Sequence, residues 1–167
     1  LAGLETVTSA LSTAFAALAG QPELRRQLAA DPAVIPAAVT ELLRFDGPVV
    51  FVPRVATQDV ELAGHLIPAG CTVHVCLAVA DRDPAGHPDP DVIEFGRQEH
   101  SLAFGAGPHR CLGSHLARMQ MRVALEEWHR RIPEYTLAPG TVPRVGWPAG
   151  LVGIDHLPLV FPPAGSG

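Results

Sequence analysis

Between Ser101 and Gly113 the chain reads Ser-Leu-Ala-Phe-Gly-Ala-Gly-Pro-His-Arg-Cys-Leu-Gly. A loop rich in glycine and proline runs into one cysteine, Cys111, and a strong helical pattern begins just after it. The start of a helix offers unpaired N–H groups and the positive end of the helix dipole. Both favour a thiolate, the form that binds a soft metal. Gly105, Gly107 and Gly113 have no Cβ, so the backbone can turn tightly and come close to a flat ligand. Phe104 is placed to cover the sulfur and keep water away. These residues together make a cradle for a metal held through a single sulfur. A purely structural cysteine at a helix start would call for one or two turn glycines, not this whole array.

The run Phe104-Gly105-x-Gly107-x-His109-x-Cys111-x-Gly113, followed by Leu116-Ala117-Arg118, resembles the haem-binding loop of the cytochromes P450. The resemblance implies that Cys111 is the axial ligand of the iron of haem b, with Phe104, Gly105, His109 and Gly113 against the cofactor. It implies a monooxygenase that activates dioxygen to oxidise a small hydrophobic organic substrate. It also implies a mainly α fold with small β sheets, an α+β architecture, of which residues 1–167 would be the C-terminal haem-binding part. The chain opens on Leu1-Ala2-Gly3 without Met and already inside a helical pattern. The N-terminal half of that fold is therefore expected to be absent.

Three further stretches match the same family in order. Ala2-Gly3-Leu4-Glu5-Thr6 resembles its oxygen-activation motif, which implies that Glu5 and Thr6 relay protons. Glu41-Leu42-Leu43-Arg44 matches its Glu-x-x-Arg element, with Arg97 as the third member of a buried charge network whose role is structural. An isolated Glu and Arg at this spacing would ordinarily be a solvated surface pair. Arg54, alone in an apolar strand, becomes a haem-propionate partner, and a guanidinium fork suits a carboxylate. His109 is a second candidate for that role. The resemblance also places Val49, Val50, Leu151 and Val152 on the substrate side.

The bulk properties are those of a single globular domain rather than a disordered chain. At 167 residues, 47% apolar and 17% charged, the chain can bury a core. A formal net charge of −5 argues against nucleic acid as a partner. No apolar run approaches the ~20 residues of a membrane span. There is no P-loop or dinucleotide fingerprint, so electrons are expected from a separate donor such as a ferredoxin. Of three cysteines, Cys71 and Cys76 are too far apart along an extended strand to pair with each other. They are expected to be small buried hydrophobes. One motif cysteine beside an unpaired two suits a reducing, cytoplasmic compartment.

In chain order, the pattern predicts a helix to about residue 19, a second from Pro22 to Ala30, and a third over 33–45. Strands follow at 49–52, 60–63 and 72–77, with turns at Gly64 and at Pro68-Ala69-Gly70. An irregular segment covers 84–100. A helix over 113–131 carries an apolar stripe of Leu112, Leu116, Val123, Trp128 and Ile132. A β hairpin spans 135–161 with its tip at 150–153, and residues from Pro162 on form a loose tail.

Two other readings compete with this one. His109, Cys111 and His115, with His100 nearby, could hold zinc, but there is no Cys-x-x-Cys pair and the glycines would go unexplained. Alternatively, the chain is a truncated, catalytically inactive haem-binding or protein-interaction fragment. In either P450 reading, apolar surface around Phe15, Val50 and Leu151 is expected to be covered by a second copy or by the missing half. Arg110, Arg118 and Arg122 are expected to form an open basic face.

Overall fold

The computed structural model describes residues 3–98, 101–146 and 150–162. Ala2 of the oxygen-activation motif, His100 and the tail beyond Pro162 lie outside them. The first helix, α1 (Glu5–Gly20), buries Val7, Ala10, Ala14 and Leu18. Its terminal carbonyls lack helical partners. Arg25 satisfies two of them, donating from Nη1 to Leu18 O at 2.7 Å and Ala19 O at 3.0 Å. Arg25 sits in α2 (Pro22–Ala30), which starts on proline. Asp31 accepts the Ala33 N–H and opens a single 3-10 turn that leads into α3 (Ile35–Asp46).

The strand region is a pair of two-stranded ribbons. β1 (Phe51–Val55) pairs antiparallel with β4 (Thr72–Cys76), Phe51 opposite Cys76 and Val55 opposite Thr72. Between them, β2 (Val60–Leu62) and β3 (His65–Ile67) form a hairpin. Ala63 and Gly64 both have positive φ at its turn, as a tight hairpin requires. β3 is an addition to the sequence reading. Cys71 and Cys76 are exposed, not buried. A two-stranded ribbon has no second layer to cover its faces, so a strand pattern there does not imply burial.

A single turn of helix, α4 (Leu77–Ala80), follows, and after the cysteine loop comes α5 (Ser114–Arg131). α5 packs on α3, α2 and α1. Its core face is Met121 and Leu125, continued by half-buried Trp128 and Ile132. The expected stripe is thus half wrong: Leu112, Leu116 and Val123 are exposed. Phe15 is also not a surface residue, because its ring packs against Trp128 at 4.9 Å and Tyr135 at 6.1 Å.

The C-terminal hairpin is nested. β5 (Thr136–Leu137) pairs with β8 (Leu159–Val160), and β6 (Val145–Gly146) with β7 (Gly153–Ile154). Its tip is stitched to the segment before β1: Val50 N–H donates to Gly150 O at 2.8 Å and Val152 N–H to Pro48 O at 2.7 Å. Ser12 Oγ on α1 accepts the Ile154 N–H at 3.2 Å. Gly150 has φ +85°, and a Cβ there would meet the Phe51 ring at 3.0–3.3 Å. Gly150→Ala should therefore destabilise the fold by about 1–3 kcal/mol, read as a lower urea midpoint. Among the described residues no helix is long and apolar enough to cross a membrane.

Candidate haem-thiolate site

The cysteine loop is built by short-range backbone bonds. Gly105 N–H donates to Leu102 O at 2.7 Å, and Gly105 and Gly107 take φ values of +66° and +67°. A 3-10 turn over Gly107–His109 follows. Cys111 N–H then closes the loop on Phe104 O at 2.9 Å. Cys111 stands just before α5, and its carbonyl accepts the Ser114 N–H at 3.3 Å. The Arg118 guanidinium lies 5.0 Å over the Phe104 ring.

Cys111 opens onto a cavity of ≈ 390 Å³. Thr6, Val7 and Ala10 of α1 form one wall, Val49, Val52 and Arg54 another, and Leu116, Gln120 and Met121 of α5 a third. Phe104, Gly105, His109 and Gly113 complete the loop side. The structure thus brings Thr6, Val49, Arg54 and the loop residues together around one sulfur. Glu5 is exposed and is not in the cavity wall. Val50 and Val152 line a separate cavity with Phe45 and Arg82, because alternate residues of an extended segment point to opposite sides. Leu151 stands behind Val49, paired with it in a β-bridge.

Glu41, Arg44 and Arg97 form a buried network. Arg44 donates to both carboxylate oxygens of Glu41 at 2.8 and 2.9 Å, and Arg97 Nε donates at 3.2 Å. Glu94 N–H adds a fourth bond at 3.0 Å. Burial alone would raise the Glu41 carboxyl, but the bonds from Arg44, Glu94 and Arg97 together hold it below its ordinary value. On the far side of the loop, Arg118 is not open: it is half-buried and donates to Thr40 Oγ1 at 2.6 Å. Thr40 carried no signal in the sequence, since a threonine on an exposed helix turn is unremarkable.

The donor set decides what group fits. Among the described residues, no cluster of three or more His, Cys, Asp or Glu could hold a metal ion. A metal here must bring most of its ligands with it. One sulfur, apolar walls, and Arg54 and His109 at the edges suit an iron porphyrin with two carboxylate arms.

The fold and this single-cysteine cavity fit a haem protein. A cytochrome P450 family model matches residues 1–131, and the chain belongs to the cytochrome P450 family, whose cofactor is haem b. It is 39% identical over 164 residues to a vitamin D3 dihydroxylase of Streptomyces griseolus, covering 96% of this chain and 40% of that protein. It is 42% identical over 139 residues to a pentalenic acid synthase of Streptomyces avermitilis, covering 83% of this chain and 35% of that protein. The crystal structure of P450BioI in complex with an acyl carrier protein ligated to hexadec-9Z-enoic acid superimposes with a TM-score of 0.91 at 34% identity. That match covers 96% of this chain and 42% of the other. The chain therefore spans well under half the length of these relatives.

Proposed function

We propose that this chain is the C-terminal haem-binding part of a cytochrome P450 monooxygenase, with Cys111 as the axial ligand. The observation that carries this reading is one cysteine sulfur facing a largely apolar cavity with no other metal-binding cluster among the described residues. Haem bound through a thiolate supplies dioxygen activation for oxidation of a small hydrophobic substrate. Arg54 and His109 would hold its propionates, Phe104 packs on the loop side of the cavity, and Val49 would face the substrate. Thr6 brings a hydroxyl into the cavity, with Glu5 next to it in the chain. Electrons come from a separate donor such as a ferredoxin, in a reducing cytoplasm.

Exposed apolar surface beside this cavity favours a second reading. Leu112, just before α5, and Leu116, Met119 and Val123 on it are exposed, and Leu116 is also in the cavity wall. The chain alone holds haem but does not turn over, and activity requires the rest of a P450 fold over this face. Haem titration of the purified chain, followed by the spectrum of the reduced carbon monoxide adduct, tests the reading. A red-shifted thiolate-type Soret band supports it, and absence of haem binding rejects it. In a complete assembly, Thr6→Ala should release more hydrogen peroxide per oxygen consumed, measured by peroxide assay against oxygen uptake. Unchanged coupling would remove Thr6 from the relay.

A further inference from the structure

Asp81 is 2% exposed and belongs to none of the groups assigned above. Its main-chain carbonyl accepts the Arg44 Nη1–H at 2.8 Å. Its carboxylate accepts the Leu102 N–H at 2.6 Å on one oxygen and the Ser101 hydroxyl at 2.9 Å on the other. Ser101 Oγ in turn accepts the Ala103 N–H at 3.1 Å. Leu102 O takes the Gly105 N–H, and Phe104 O takes the Cys111 N–H. A path of hydrogen bonds and short backbone steps therefore runs from Glu41 through Arg44 and Asp81 to Cys111. Arg97 donates to the carbonyls of Pro88, Asp89 and Val92, and Arg44 also reaches those of Pro90 and Val92. The Glu41 pair thus holds the 88–92 segment through both guanidinium groups, and its contact with Asp81 is the one that leads into the cysteine loop.

We propose that Asp81 is a positioning residue that transfers the rigidity of the Glu41–Arg44 pair to the front of the cysteine loop, fixing how Cys111 is presented to the cavity. The proposal rests on the reading of Cys111 as the haem ligand. What matters is the shape and hydrogen bonding of the side chain rather than its charge. Burial holds the Asp81 carboxyl above its ordinary value despite the bonds from Leu102 and Ser101 and the nearby charges of His87 and Arg44. His87 Nε2 is 3.8 Å away, too far for a hydrogen bond. An amide of the same shape accepts from Leu102 N–H and donates to Ser101 Oγ without burying a charge.

Hydrogen exchange of the purified chain, read by mass spectrometry, tests this. In Asp81→Ala, peptides spanning 101–111 should exchange about ten-fold faster, while peptides around Leu18 and Leu125 stay as in the parent. Asp81→Asn should restore parental protection. In haem-loaded protein, Asp81→Ala should show a loss of the thiolate-type band that Asp81→Asn recovers. Unchanged exchange over 101–111, equal acceleration in α1 and α5, or failure of Asp81→Asn to rescue would overturn the proposal. If Asp81→Ala does not fold, Ser101→Ala decides: faster exchange confined to the same peptides supports the proposal, and none rejects it. Exchange is read without haem, so a parent chain that binds none would overturn the reading of Cys111 as a haem ligand and leave the exchange result standing.

Discussion

Cys111→Ser should abolish the thiolate-type spectrum of the haem-loaded chain, while Cys71→Ser and Cys76→Ser should leave it unchanged. All three cysteines are free and exposed, so exposure does not distinguish them. Position does: Cys111 is in the cavity wall, whereas Cys71 and Cys76 lie in and beside β4 and are absent from it. Serine keeps the size of the side chain but presents a hard, neutral hydroxyl where a soft anionic donor is needed. The effect on the spectrum is therefore all-or-none. The effect on folding should be small, within about 0.5 kcal/mol, because an exposed side chain is being replaced. A parental spectrum in Cys111→Ser would refute the ligand assignment.

Glu41→Ala should have the largest effect on stability. It strips two guanidinium groups of their carboxylate at once, and the side chains of Arg44 and Arg97 are only 1% and 6% exposed. Breaking a buried pair by removing one partner costs about 3–5 kcal/mol, because a charge is left uncompensated. That is a large share of the ~5–15 kcal/mol that holds a domain together. By contrast, Arg130 and Arg131 bond Glu127 at the surface, where solvent screens the charges and the pair contributes little. Glu127→Ala is thus the matched control in urea unfolding. Equal midpoints for the two variants would overturn the argument.

The pH dependence has a definite sign. The folded-state pKa of Glu41 is depressed, so its stabilisation is present above the ordinary value of 4.5 and is lost as pH falls through the folded value. Asp81 and Asp46 run the other way: burial raises both, so each contributes most below 3.8 and loses that contribution as pH rises through its folded value. Glu41→Ala should accordingly flatten the acid limb of stability against pH.

Local features were legible in the sequence. The cysteine loop, Pro22 at the start of α2, the turn at Gly64 and the hairpin tip at Gly150 each follow from backbone rules confined to a few residues. Tertiary structure decided the rest. The sequence in and around α5 carries two apolar stripes of identical spacing, Leu112-Leu116-Met119-Val123 and Met121-Leu125-Trp128-Ile132. Periodicity cannot choose between them; contact with α1, α2 and α3 buries the second. Val49 and Val50 are equivalent in sequence, and only the pairing of the hairpin tip with this segment turns one toward the cysteine cavity and the other away. The partners of Arg25, Arg44 and Arg97 are largely main-chain carbonyls. Every residue has one, so such bonds leave no mark in the sequence, and folding alone selects which carbonyl each guanidinium reaches.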